Sequence, residues 1–342
     1  MTTNSTRRAC LGTWPTPVER APRLAVALGL HPDDLWIKRD DLTGLAGGGN
    51  KIRKLEWTVG AAVADGADTL VTTGSPQSNH ARLTAAAGTR LGLDVVLVFP
   101  GEAGASQSGN LALDGLLGAR IAWAGDVDDI GLAAVADTVV TQLRASGASP
   151  ALIPFGGSSG IGAHGYVLCG QELRKQVPDL DTVVVALGSG GTMAGLVAAL
   201  GPEKVLGVDT GALANPLHAV ARFASEAAHA SITADQLHAR FDMVGSGYGN
   251  LTEPVAAALS LIARTEGVIV DPIYTGRALA GLVAAVEDGT ITSGRTTVFL
   301  HTGGLPGLFG HRITVERAQN SLRCFPLPTD DQTSDQDPLQ SA

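Results

Sequence analysis

Short runs of β-branched residues alternate along this chain with longer stretches rich in Ala and Leu. Thr69–Thr73, Val95–Phe99, Thr182–Leu187, Val205–Asp209, Val268–Val270 and Thr297–Leu300 are apolar and too short for helices, so they are predicted as buried strands. Between them the pattern predicts helices. Asn79–Leu91 and Thr192–Leu200 each open beside Ser, Thr or Asn and close near Gly, the usual start and stop residues. Such alternation predicts an α/β chain whose parallel sheets are flanked by helices. In sheets of that kind ligands bind beyond the carboxyl ends of the strands, so the functional loops should follow the strands.

Two segments interrupt this rhythm. Residues 150–165 carry five glycines in IPFGGSSGIGAHG and read as a passage between two lobes. From Pro326 onward, PLPTDDQTSDQDPLQSA has no periodicity and few large apolar side chains, so a disordered tail is expected at 326–342.

Composition narrows the class. With 342 residues, 44% hydrophobic and 17% charged, the chain can bury a core of two domains or one large unit. The 44 glycines against 7 Phe, 3 Tyr and 4 Trp describe many close turns and small-residue packing. A net charge of -9 without a Lys/Arg stripe argues against nucleic acid as a partner. The apolar stretches are broken by Gly, Asp or Arg well short of a membrane span, and no apolar core follows the arginines of MTTNSTRRAC, so no signal peptide is read. Cys10, Cys169 and Cys324 have no metal-ligand spacing and fit a reducing compartment, which makes the cytoplasm the expected location.

Five loops carry candidate chemistry. GLAGGGNKIRKLE, 44–56, runs a glycine cluster into a basic helix start. It lacks the Gly-Lys-Ser/Thr of a nucleoside-triphosphate loop, because Asn50 precedes Lys51 and Ile52 follows it. A desolvated lysine there can form imines with carbonyls, whereas a lone lysine on a first helical turn needs no function. In TTGSPQSNHAR, 72–82, Ser78 or Asn79 would cap the following helix, and free N–H groups at that end could hold a carboxylate or a phenolate-like oxygen. His80 is read as structural. LGSGGTMAG, 187–195, follows a run of valines and offers backbone N–H groups and hydroxyls to a phosphate. Met193 replaces the third glycine of the dinucleotide fingerprint, although Asp209 could supply its acid. DPIYTGR, 271–277, and HTGG, 301–304, follow further apolar runs, and Tyr274 could exchange a proton there or simply pack as a core aromatic.

Taken in order, WIKRDDLTG, GGNKIRKLE, QSNHAR, GSGGTMAGL, GSGYGN, DPIYTGRA and HTGGLPGLFG resemble the fold-type II, tryptophan synthase β-like, pyridoxal-phosphate enzymes. Within these, the chain resembles the family of D-cysteine desulfhydrase and 1-aminocyclopropane-1-carboxylate deaminase, collinearly from Trp14 to Gly310. The resemblance implies a two-lobed fold with the cofactor between the lobes. Residues 1–50 and 160–325 would form the large domain and 51–159 the small one. It implies that Lys51 is the Schiff-base lysine and general base, that Asn79 meets the ring hydroxyl of pyridoxal 5'-phosphate, and that Gly188, Ser189, Gly190, Gly191 and Thr192 form a phosphate cup. Thr302 would lie against the pyridine nitrogen. Gln77 and Ser78 would face the carboxylate of a small amino-acid substrate, with Asn50 close by, and Tyr248 and Tyr274 would flank its side chain.

Ring-opening deaminases of the family carry Glu and Leu where this chain has Thr275 and Thr302, which matches the desulfhydrase pattern. The implied reaction is α-proton abstraction and β-elimination, taking D-cysteine to pyruvate, ammonia and hydrogen sulfide. The alternatives are ring-opening deamination, an L-cysteate sulfo-lyase and a catalytically silent binding protein on this fold. No metal is implied, and a homodimer is the family's usual assembly.

Overall fold

A computed structural model describes residues 8–104, 108–323 and 325. The tail expected at 326–342 and Cys324 lie outside them. Among the described residues ten strands form two sheets: β1 Val18–Arg20, β2 Leu35–Arg39, β3 Thr69–Thr73, β4 Asp94–Phe99, β5 Arg120–Trp123, β6 Pro150–Ile153, β7 Leu180–Leu187, β8 Val205–Asp209, β9 His238–Arg240 and β10 Thr296–His301. The larger sheet runs β1-β2-β10-β7-β8-β9 and the smaller β5-β4-β3-β6. Every pairing is parallel except that of β1 with β2.

The continuous valines of β7 are explained by burial on both faces. Val184 and Ala186 pack with helices Glu253–Glu266 and Thr275–Glu287, while Val183, Val185 and Leu187 pack with helices Gly160–Gln176, Gly191–Leu200 and Pro216–Ala228. The small sheet is covered likewise. Leu70, Leu97 and Phe99 meet helices Lys51–Ala64 and Asn79–Leu91, and Val71, Val96 and Val98 meet helix Asp129–Ala145. Residues 150–165 comprise β6, a tight turn at Phe155–Gly157 and the start of helix Gly160–Gln176, after which the chain enters β7 of the other sheet.

One predicted strand is absent. Val268–Val270 pairs with no strand: Val268 and Val270 are buried in the large core, but the run is three residues between a helix end and the Asp271 turn, and the Ile269 carbonyl accepts from His301 Nε2 at 2.9 Å. Apolar residues serve the core here without a sheet edge to join. Conversely, VER of β1 and HAR of β9 are short, polar edge strands that hydrophobic periodicity does not reveal.

Candidate active site

The carboxyl ends of β3, β7 and β10 open onto one cavity, and the glycine loop ahead of helix Lys51–Ala64 closes it. Gly48 has φ +71°, and a Cβ there would stand 1.9 Å from the Asp41 carbonyl oxygen, so only glycine lets the loop turn so tightly. Asn50 ties three loops together. Its N–H donates to the Thr302 carbonyl at 3.0 Å and its Nδ2 to Thr192 Oγ1 at 3.0 Å.

Lys51, the first residue of the helix, points its Nζ at the Gly156 carbonyl, 3.3 Å away. Burial pushes this amine down to about 8. One turn later Lys54 is fully buried, with its Nζ 3.0 Å from Ser158 Oγ. Burial, with the charge of Lys51 added, holds it well below the ordinary lysine range. Among the described residues no carboxylate lies within ion-pair distance of either amine. Two adjacent buried amines with no carboxylate partner among the described residues favour an anion beside them and leave at least one amine nucleophilic.

The loop from Gly188 to Thr192 has the features of an anion site. Helix Gly191–Leu200 starts without any side-chain cap at Gly190, which leaves first-turn N–H groups for a ligand. Ser158 Oγ joins the cup to Lys54: it accepts from Gly191 N–H at 3.1 Å and shares a 2.8 Å hydrogen bond with Ser189 Oγ. Gly156, at φ +65°, leaves the room that Ser189 fills, since a Cβ would come 2.1 Å from its Oγ.

The third wall is the start of helix Asn79–Leu91. Ser78 caps it, accepting from Ala81 N–H at 3.2 Å, and Asn79 lines the cavity beside Lys51. Gln77 does not join them. Its Nε2 donates to the Ser108 carbonyl at 2.9 Å and its Oε1 accepts from Asn110 N–H at 3.0 Å, so the structure directs Gln77 to the segment 108–110 instead of a substrate carboxylate. His80 borders the outer cavity. Its Nε2 is 2.8 Å from Thr72 Oγ1, its Nδ1 is buried without a partner, and burial beside the two lysines keeps it neutral.

On the remaining side the hydroxyls of Tyr248 and Tyr274 are hydrogen-bonded to each other. Asp271 builds the turn that presents Tyr274, accepting from the N–H groups of Ile273, Tyr274 and Thr275. Arg277, fully buried, donates to the carbonyls of Thr210, Gly247 (2.7 Å) and Asn250 (2.9 Å), which pins the loop carrying Tyr248. Burial raises both phenols, so both are proton carriers at neutral pH.

Asn50, Lys51, Asn79, Gly188, Ser189, Gly190, Thr192, Tyr274 and Thr302 line an inner cavity. It leads to an outer one of about 560 Å³ bordered also by Ser78 and Tyr248. Thr275 is elsewhere: fully buried, it spends its hydroxyl on Asp271 Oδ1 at 2.6 Å. Lys54, Ser158 and Arg277 were not singled out from the sequence. Lys54 was accessible, because it lies three residues after Lys51 on the same helix face. Among the described residues no cluster of His, Cys, Asp and Glu could hold a metal, and no helix is long and apolar enough to cross a membrane. A nucleophilic amine, an anion cup and an amide donor in one cavity fit an aldehyde that carries a phosphate.

Comparison with known proteins agrees with that donor set. Residues 9–303 match the family described as pyridoxal-phosphate dependent enzyme. A protein of Pyrococcus abyssi named provisionally as a 1-aminocyclopropane-1-carboxylate deaminase is 38% identical over 313 residues, covering 88% of this chain and 93% of its own. The D-cysteine desulfhydrase of Salmonella paratyphi B is 39% identical over 313 residues, covering 87% and 94%. A crystal structure of an ACC deaminase homologue superposes with a TM-score of 0.82 at 35% identity, over 92% of this chain and 96% of that one.

Proposed function

This chain belongs to the family of pyridoxal-phosphate dependent enzymes, and from that premise we propose that it is a lyase taking D-cysteine by β-elimination to pyruvate, ammonia and hydrogen sulfide. The observation that carries the reading is the amine of Lys51, held toward its neutral form in one cavity with the Gly188–Thr192 cup, the Asn79 amide and the Tyr248–Tyr274 pair.

Lys51 would hold the cofactor through its aldehyde, the Gly188–Thr192 loop with Ser158 and Lys54 behind it would take the phosphate, and Asn79 and Thr302 would hold the ring. Bound pyridoxal phosphate supplies an electron sink for the pair left at the substrate's α-carbon. Lys51, its amine held low by burial, would take the α-proton near neutral pH. Ser78, with Asn50 close by, receives the substrate carboxylate at the helix N-terminus. Gln77, whose side chain meets Ser108 and Asn110, does not line this cavity. Tyr274, backed by Tyr248, holds a proton beside the substrate's β-substituent as the carbon–sulfur bond breaks and hydrosulfide departs. Water then completes the release of pyruvate and ammonia.

Thr302 at the cavity wall, where ring-opening relatives carry Leu, favours this reading over cyclopropane deamination. We place the protein in the cytoplasm as a homodimer; the free thiols of Cys10 and Cys169 support a reducing compartment, and the assembly follows the family resemblance. The test is product analysis on the loaded enzyme. Sulfide and pyruvate in equal amounts from D-cysteine are expected, whereas 2-oxobutanoate from 1-aminocyclopropane-1-carboxylate with no sulfide from D-cysteine would replace this substrate with that one.

A further inference from the structure

Arg82 is fully buried on helix Asn79–Leu91, one turn beyond Asn79, and every hydrogen of its guanidinium can only be donated. One terminal nitrogen donates to the carbonyls of Ala46 and Gly48 (3.0 Å) in the glycine loop ahead of Lys51, and the other to Asn79 Oδ1 at 3.4 Å. Its Nε donates to Asn110 Oδ1 at 3.1 Å.

These contacts determine two amide orientations in sequence. The atom of Asn110 that meets Arg82 must be the acceptor, its oxygen. The Nδ2 of Asn110 then faces the other way, where it donates to the Gln77 carbonyl at 2.8 Å and to Asn79 Oδ1 at 3.0 Å. The Gln77 carbonyl can only accept, so it requires the same orientation of Asn110 independently of Arg82. With its oxygen met by Asn110 and Arg82, the Nδ2 of Asn79 is the amide atom left for the cavity that contains Lys51, which Asn79 lines.

We propose that Arg82 and Asn110 are positioning residues that lock Asn79 as a hydrogen-bond donor toward the cofactor ring, coupling its orientation to the glycine loop that presents Lys51. The inference rests on the reading that pyridoxal phosphate binds at Lys51. A donor at this point stabilises a negatively charged ring oxygen, whereas an acceptor would repel it. The lock therefore acts on the electronic state of the bound cofactor as well as on its retention.

The substitution Asn110→Asp separates this role from packing. It keeps the shape and accepts Arg82's donors, but the new carboxylate has no hydrogen to give Asn79 Oδ1 and draws Asn79 Nδ2 away from the cavity. Asn110→Ala removes the contact without reversing it. Wild-type and variant proteins are loaded with pyridoxal phosphate, and absorbance spectra at one fixed pH, cofactor dissociation constants and melting temperatures are recorded. For Asn110→Asp the account expects absorbance transferred from the visible band to the near-ultraviolet and cofactor bound about tenfold more weakly, the worth of one hydrogen bond to a charged oxygen. A smaller change in the same direction is expected for Asn110→Ala, which carries the test if the first variant does not fold. Unchanged spectra and affinities with only lowered melting temperatures would make Arg82 and Asn110 packing residues and overturn the inference. A wild-type protein with no visible band would instead overturn the reading beneath it.

Discussion

The hydroxyls of Tyr248 and Tyr274 are hydrogen-bonded to each other on the open side of the Lys51 cavity, although the two residues come from separate loops. Asp271 positions one loop and Arg277 the other. Burial raises both phenols, Tyr274 further than Tyr248, so both stay protonated through neutral and mildly alkaline pH.

Removing the Tyr274 hydroxyl should therefore slow elimination without releasing the cofactor. For Tyr274→Phe a fall of about 10²-fold in kcat is expected, the scale of one lost acid–base group, with the visible band intact. Tyr248→Phe should cost less, because it reaches the reacting atoms through Tyr274. Steady-state sulfide release, with a spectrum of each variant, checks both.

Cofactor uptake should depend on pH through Lys51. Burial lowers its folded-state value from 10.5 to about 8, so below about 8 the amine is protonated and cannot attack an aldehyde. The neutral fraction, and with it the rate of pyridoxal phosphate binding to cofactor-free protein, should rise about tenfold per pH unit up to that point and level off above it. Stopped-flow absorbance between pH 6 and 9.5 measures this. A rate that keeps climbing to the end of the range would indicate an ordinary lysine.

Arg53 links the Lys51 helix to helix Gly160–Gln176 and to the turn after β2. It is almost fully buried and donates to Asp40 at 2.7 and 2.9 Å and to Glu172 at 2.9 and 2.8 Å, while Tyr166 donates to Asp40 at 2.5 Å. Burial alone would raise the Asp40 carboxyl, but Arg53 holds it below its usual value. Arg53→Met strands a buried carboxylate and should cost about 3–5 kcal/mol of stability, read from denaturant midpoints. Because the Asp40 value is lowered on folding, the wild type's advantage should be present at neutral pH and be lost as pH falls below the ordinary carboxylate range.

Strands buried on both faces were legible in the sequence. The apolar runs of β3, β4, β7, β8 and β10 mark them, and the loops that follow β3, β7 and β10 carry Asn79, the Gly188–Thr192 loop and Thr302. What sequence could not supply was the direction of polar side chains. Gln77 and Ser78 are adjacent, yet the side chain of one meets residues 108–110 and the other caps the helix start, and Asn110, which Gln77 meets, lies 33 residues away in sequence. Thr275 is likewise one residue beyond Tyr274 but is turned into the core by Asp271. Val268–Val270 misled because core burial and sheet pairing leave the same apolar signature in three residues. Lys54 carries the opposite lesson: ordinarily a solvated residue type, it is fully buried here with its amine on Ser158 Oγ, which composition alone does not reveal.

The central claim is that Lys51 forms the covalent bond to the cofactor, and borohydride trapping tests it directly. The loaded protein is reduced, digested and examined by mass spectrometry for the added pyridoxyl phosphate. The account predicts the modification on the peptide containing Lys51, at close to one per chain, and its disappearance in Lys51→Ala together with the visible band and all turnover. Modification at Lys54 instead, or a Lys51→Ala variant that still turns over substrate, would contradict it.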